Sequence, residues 1–206
     1  KTAASRIKTY AGFSVSDITG ATELAETPAD TDEFIISDAG TLKRVDFSHI
    51  KGGGITEIDT WVYTSNESVS GGNATLTSAW NRESQGGFSK LGTGMSEASG
   101  VFSFPSTGFY KIDFGIYYEC GGARDRMGGQ ILVTTNNSSY DERTELANSC
   151  SSNGHKVSSL TSAIVDVTDT SNVKVKFNYQ ASGDATLNGS SSLSKTFAIF
   201  TRLADT

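Results

Sequence analysis

The stretch SEASGVFSFPSTGFYKIDFGIYYEC, Ser96 to Cys120, decides the fold. It holds one of the two prolines of the chain and, directly behind it, the densest block of Phe and Tyr. Before the proline, Val101 and Ser103 project to one side of an extended chain and Phe102 and Phe104 to the other. Pro105 has no N–H and ends the ladder, and Thr107-Gly108 turns the chain into the next strand. There Tyr110, Ile112, Phe114, Ile116 and Tyr118 share one face, while Lys111, Asp113, Gly115, Tyr117 and Glu119 share the other. Strict alternation of this length predicts a strand with one face in a sandwich core and one that meets water in places and a partner in others.

The composition extends this reading to the whole chain. Of 206 residues, 53 are Ser or Thr and 22 are Gly, against 36% hydrophobic and 19% charged, a balance that favours short strands and polar turns over helices. Val173, Val175, Phe177 and Tyr179 alternate with Lys174, Lys176 and Asn178, and Phe197, Ile199 and Leu203 alternate with Ala198, Phe200 and Arg202. About eight strands follow residue 57, which suits an all-β, two-sheet jelly roll. In SKTFAIFTRL both faces carry large apolar groups, so the second face reads as a surface between subunits.

Three segments are expected. Residues 1–50 form an N-terminal anchor or shaft carrying a β-hairpin: Phe34, Ile35 and Ile36, a turn at Asp38-Ala39-Gly40, then Leu42, Val45 and Phe47. Its apolar residues are too few for an independent core, so it must bury them against something else. Residues 51–57, opening with KGGG, form a Gly-rich joint, and residues 58–206 form the jelly-roll head.

A net charge of −6 and no Lys/Arg cluster beyond Lys43-Arg44 argue against nucleic acid as a partner. Apolar runs fall far below the ~20 residues needed to span a bilayer, so no membrane insertion is expected. His49 and His155 lie in no catalytic motif, and Glu119, Asp125, Asp141, Glu142 and Glu145 read as solvated loop charges before they read as a glycosidase pair. No catalytic, metal or cofactor site is therefore expected. Cys120 and Cys150 are either buried small residues or a disulfide, since two thiols with only His155 nearby make a poor zinc site. Arg124 and Arg126, within GGARDRMGGQ, form a solvent loop or a contact for carbohydrate or carboxylate.

GVFSFPSTGFYKIDFGIYY and the closing KTFAIFTRL resemble the trimeric jelly rolls of the tumour necrosis factor and complement globular-head superfamily. That resemblance implies a homotrimer in which the last strand returns to the threefold axis, with Tyr117 and Phe200 as the residues at the trimer interface. WVYTSNESVSGG and ETPADTDEFIISDAGTLKRVDFSHI resemble virion structural proteins of tailed phages, especially those of marine bacteria. The implied protein is a tail fibre, spike or head decoration. It would be held to other virion proteins through residues 1–50 and exposed on the particle, with a host-surface glycan or protein as its target. The alternatives are a secreted cytokine-like or adhesin module and a small glycan-depolymerising spike.

Overall fold

The computed structural model describes residues 24, 26–50, 54–84 and 90–206. The chain divides into two compact units, Lys1–Gly52 and Gly53–Thr206. Lys51–Gly53 of the expected joint and residues 1–23 and 25 of the anchor lie outside the described residues.

In the first unit, strands β1 (Glu33–Asp38) and β2 (Thr41–Asp46) pair antiparallel, with Asp38 opposite Thr41. Ala39 and Gly40 both have positive φ, 48° and 84°, as a two-residue hairpin turn that matches strand twist requires. The Phe34 and Phe47 rings approach to 6.0 Å, but Phe34, Ile35 and Ile36 remain exposed.

The head begins with β3 (Ile58–Tyr63), β4 (Glu67–Val69), β5 (Gly72–Thr75) and β6 (Trp80–Arg82). It continues through β7 (Ser96–Ala98), β8 (Val101–Ser103), β9 (Gly108–Gly121), β10 (Arg124–Thr134) and β11 (Asp141–Cys150). The last four are β12 (Asn153–Val167), β13 (Lys174–Ala181), β14 (Ala185–Leu187) and β15 (Phe197–Ala204). They form two antiparallel sheets, a jelly-roll sandwich. One orders β11-β10-β13-β8-β7 with β5 on β13; the other orders β4-β14-β9-β15-β3-β6 with β12 on β9. The strands exceed the expected eight because β4, β5, β6, β7 and β14 are three or four mostly polar residues each, too short for a periodic signal.

The proline turn is where the chain changes sheets. β8 belongs to the β10 sheet and β9 to the other, and Tyr110 pins the crossing with its hydroxyl 2.9 Å from Ser106 Oγ. Tyr110, Ile112, Phe114, Ile116 and Tyr118 are all buried, as the alternation predicts. Between the sheets Phe114 stacks on Phe177 at 4.6 Å, and Phe102 meets Phe177, Trp61, Trp80 and Phe200 at 5.2 to 5.4 Å. Gly129 makes the first contact fit: a Cβ there would stand 2.5 Å from Phe114 Cε1. Aromatic pairs at these separations contribute beyond their buried area.

This packing corrects the expectation for Phe200. Its ring is buried inside one chain, against Phe102, Phe104 and Phe177, and is not on an intersubunit surface. The faces of β15 are the reverse of the sequence reading: Ala198 and Phe200 point into the sandwich, while Phe197 and Ile199 point out. The cause lies on the neighbouring strand, where Phe197 stands opposite Gly115 and its ring occupies the space a Cβ would take. A large residue on the outer face is thus packed against a vacancy in β9, and small Ala198 lets Phe114 fill the core beside it.

Candidate functional site

Three groups of side chains stand out by their surroundings, the first a buried charge. Asp59 is 2% exposed and accepts hydrogen bonds from Arg82 Nε at 2.8 Å, Arg82 Nη2 at 3.0 Å, Trp61 Nε1 at 2.9 Å and the Met95 N–H at 2.7 Å. Asp59 holds the Arg82 guanidinium firmly in its charged form, and the same guanidinium lies over the Trp61 ring at 4.7 Å. With its acceptor sites filled, this carboxylate ties β3, β6 and the segment before β7 together and has no capacity left for a substrate. Asp59→Ala is expected to lower stability by about 2 to 3 kcal/mol, because two buried N–H groups lose their acceptor while Arg82, a third exposed, turns to water. Urea denaturation checks it.

The carboxylates considered for glycoside chemistry are dispersed. Glu119 pairs with Lys156 at 3.6 Å, Asp141 with Arg143 at 3.4 Å, and Asp125 is held in its charged form chiefly by the Ser182 hydroxyl. Only Glu142 and Glu145 are neighbours. Partial burial, then the adjacent Glu145, push the Glu142 carboxyl above its ordinary range, and Gln130 and Gln180 donate amide N–H groups to the two at 2.7 and 2.6 Å. Both glutamates stand on the open face of one sheet. His155 meets Ser151 in the β11–β12 turn, and His49 ends a short 3-10 turn after β2. Among the described residues no three His, Cys, Asp or Glu converge as metal ligands, and no helix is long and apolar enough to cross a membrane.

The second group is the outward face of the β9 sheet. Three adjacent strands bring Leu160 of β12, Gly115 of β9 and Phe197 of β15 into one row, and Ser162, Asp113 and Ile199 into the next. Leu160 is 57% exposed and Ile164, further along β12, 68%. Tyr117 lies beside this face, half-buried, opposite Ser158. A cleft of about 310 Å³ runs over it, lined by Gly115, Ser158, Leu160, Lys195 and Phe197. Tyr117 shares the outer face of β9 with Lys111, Asp113, Gly115 and Glu119, as the alternation predicts, and the apolar residues on that side of the sheet are Phe197, Leu160 and Ile164. Leu160 and Ile164 were legible as every-fourth residues of LTSAI, yet that segment alone gives no orientation.

The third group is the tip of the head. Cys120, at the end of β9, and Cys150, at the end of β11, form a disulfide between the two sheets, which settles the alternatives left by the sequence. Arg124 and Arg126 begin β10 beside it. Arg124 lines a cleft with Ala123, Asp125, Cys150 and Ser182; Arg126 lies next to it on the exposed strand. Asn188 is buried and donates from its side chain to the Thr186 carbonyl, and Asn66 accepts the Gly189 N–H, so both act as turn residues.

No protein-family model and no curated protein matches this sequence. Solved structures do. The Eiger TNF of S. frugiperda superimposes with a TM-score of 0.56 at 17% identity, over 74% of this chain and 96% of that one. Murine APRIL at pH 5.0 gives 0.54 at 14% identity, over 71% and 98%. The PRD1 vertex protein P5 covers 75% of this chain at 16% identity, with a looser TM-score of 0.45. At these identities the likeness establishes the fold: the head is a tumour-necrosis-factor-like jelly roll.

Proposed function

We propose that this chain is a structural subunit of a tailed-phage virion, a fibre, spike or head decoration, in which three copies form one attachment head that binds without turnover. The observation that carries the proposal is the apolar outward face of the β9 sheet. Phe197, Ile199, Leu160, Ile164 and Tyr117 stand across three strands of that face, around the bonded Asp113 and Ser162, and exposed apolar groups gathered in this way mark a surface for association, here with further copies of the same chain. The phage assignment rests on the sequence resemblance of the N-terminal segment and of WVYTSNESVSGG. The exposed apolar hairpin of residues 33–46 supports it as an anchor to other virion proteins, on a particle outside the cell where a disulfide persists. The absence of turnover is supported by carboxylates that are scattered, or that stand on the open face of a sheet.

The second reading is a secreted cytokine-like or adhesin module, favoured by the fold and the disulfide. Light scattering on the purified chain tests the shared part. A mass of three 21.8 kDa chains is expected at micromolar concentration. Phe197→Asp, which places a charge in the centre of the face without touching the core, should give folded monomer. Wild-type monomer, or a trimer indifferent to Phe197→Asp, would remove the trimer. Antibody labelling of purified phage particles under the electron microscope then separates the readings, since a secreted module leaves the particles unlabelled.

A further inference from the structure

The shallow cleft beside the disulfide gathers an arginine, a carboxylate and a hydroxyl. It holds about 420 Å³ and is lined by Ala123, Arg124, Asp125, Cys150 and Ser182. Its conspicuous group is Arg124. The guanidinium donates from Nη1 to the Ala123 carbonyl at 2.8 Å, and its Nε–H is buried with no acceptor among the described residues. No carboxylate among them pairs with it. Asp125, next in sequence, is committed elsewhere: the Ser182 hydroxyl is the main influence keeping it ionised, with Arg126 as its neighbouring cation.

Glycines hold the guanidinium in place. A Cβ on Gly183 would overlap the Arg124 side chain, 2.8 Å from Cδ, and one on Gly122 would stand 3.1 Å from Nη1. Both backbones therefore approach the side chain closely and fix its plane. A planar fork held in this way, with Nε–H unpaired, is suited to a carboxylate, which takes two parallel N–H···O bonds from the Nε and terminal-nitrogen edge. An incoming carboxylate would satisfy the donor that the fold leaves unmatched.

We propose that this cleft binds the carboxylate of an acidic sugar, with Arg124 as the anchor and with the exposed Asp125 carboxylate, beyond the bond it accepts from Ser182, accepting from a ring hydroxyl. The depression is shallow and open, so it would hold one sugar unit of a longer chain at its surface, and its polar lining combines a cation, a hydroxyl and an acceptor. The chain's net charge of −6 provides no long-range attraction for an anion, so recognition is local and each site is weak. Three sites on one head would raise the apparent affinity for a polymer of such sugars by effective concentration. The inference rests on the attachment reading for its biological use, but the cleft itself belongs to a single chain.

The test is a titration of the full 206-residue chain, observing arginine Nε–H signals in a ¹H–¹⁵N spectrum, with glucuronate as the probe and glucose, acetate and sulfate as controls. The Arg124 signal is identified by its loss in Arg124→Lys. It should move saturably with millimolar glucuronate and stay still with glucose. Read from the backbone amides of Ala123, Asp125 and Ser182, which every variant keeps, Arg124→Lys, which keeps charge but loses the fork, should weaken glucuronate binding about tenfold or more, while Arg126→Gln changes it less than about twofold. Amide shifts elsewhere confirm that each variant is folded. No movement at tens of millimolar glucuronate overturns the site, and an equal response to acetate or sulfate overturns the sugar. A monomeric mass in solution would defeat the trimer and leave this titration unaffected.

Discussion

Phe200→Ala is expected to unfold the head of a single chain, lowering its stability by about 3 to 5 kcal/mol, and not to separate folded subunits. The ring is 1% exposed and its centre lies 5.2 Å from Phe102, 6.0 Å from Phe177 and 6.4 Å from Phe104. These neighbours belong to β8, β13 and the turn after β8, so removing the ring opens a cavity where the two sheets meet. Large aromatic neighbours relax poorly into such a space, which places the substitution toward the upper end of the range. Urea denaturation followed by tryptophan fluorescence, which reports on Trp61 and Trp80 in the same cluster, should show an early midpoint. A variant that melts like the wild type but runs as a monomer would return Phe200 to the subunit interface.

Replacing both cysteines, Cys120→Ala with Cys150→Ala, is expected to lower stability by about 3 to 4 kcal/mol through the entropy of a closed loop with a sequence separation of 30. For a domain of this size that corresponds to a melting temperature lower by roughly 6 to 16 °C. Both sulfurs are buried, so alanine leaves little exposed polarity and the effect reads the cross-link itself. Calorimetry on the oxidised protein and the double variant is the measurement, and coincident melting curves would show that the bond carries no stability.

What the sequence made legible follows from how one-sided each strand is. The core face of β9 could be read because its other face carries Lys111, Asp113 and Glu119, which cannot be buried unpaired. In β15 the alternation was equally clear, but both faces are apolar, and periodicity gives the parity of residues without saying which parity faces inward. Gly115 opposite Phe197 decided the matter, and that pairing exists only once the strands are in register. The disulfide was undecided for a similar reason: the ends of β9 and β11 meet through the sandwich, not through the intervening chain. Arg124 was noticed as part of a Gly-rich loop, whereas its cleft needs Cys150 and Ser182, which are distant in sequence.

The position of β15 between β3 and β9 has a consequence for how the head is made. Val62 pairs with Phe197 and Asp59 with Phe200, so the earliest and latest strands of the head are neighbours in the middle of one sheet. During synthesis β3 has no partner on that side until β15 has emerged, and β9 has one edge unpaired for the same interval. Contacts this remote in sequence close slowly, and the waiting strands expose apolar edges that invite pairing with other chains. The outward Phe197 and Ile199 appear on that same final strand. The face proposed for assembly is thus complete only once β15 has joined the sheet that supports it.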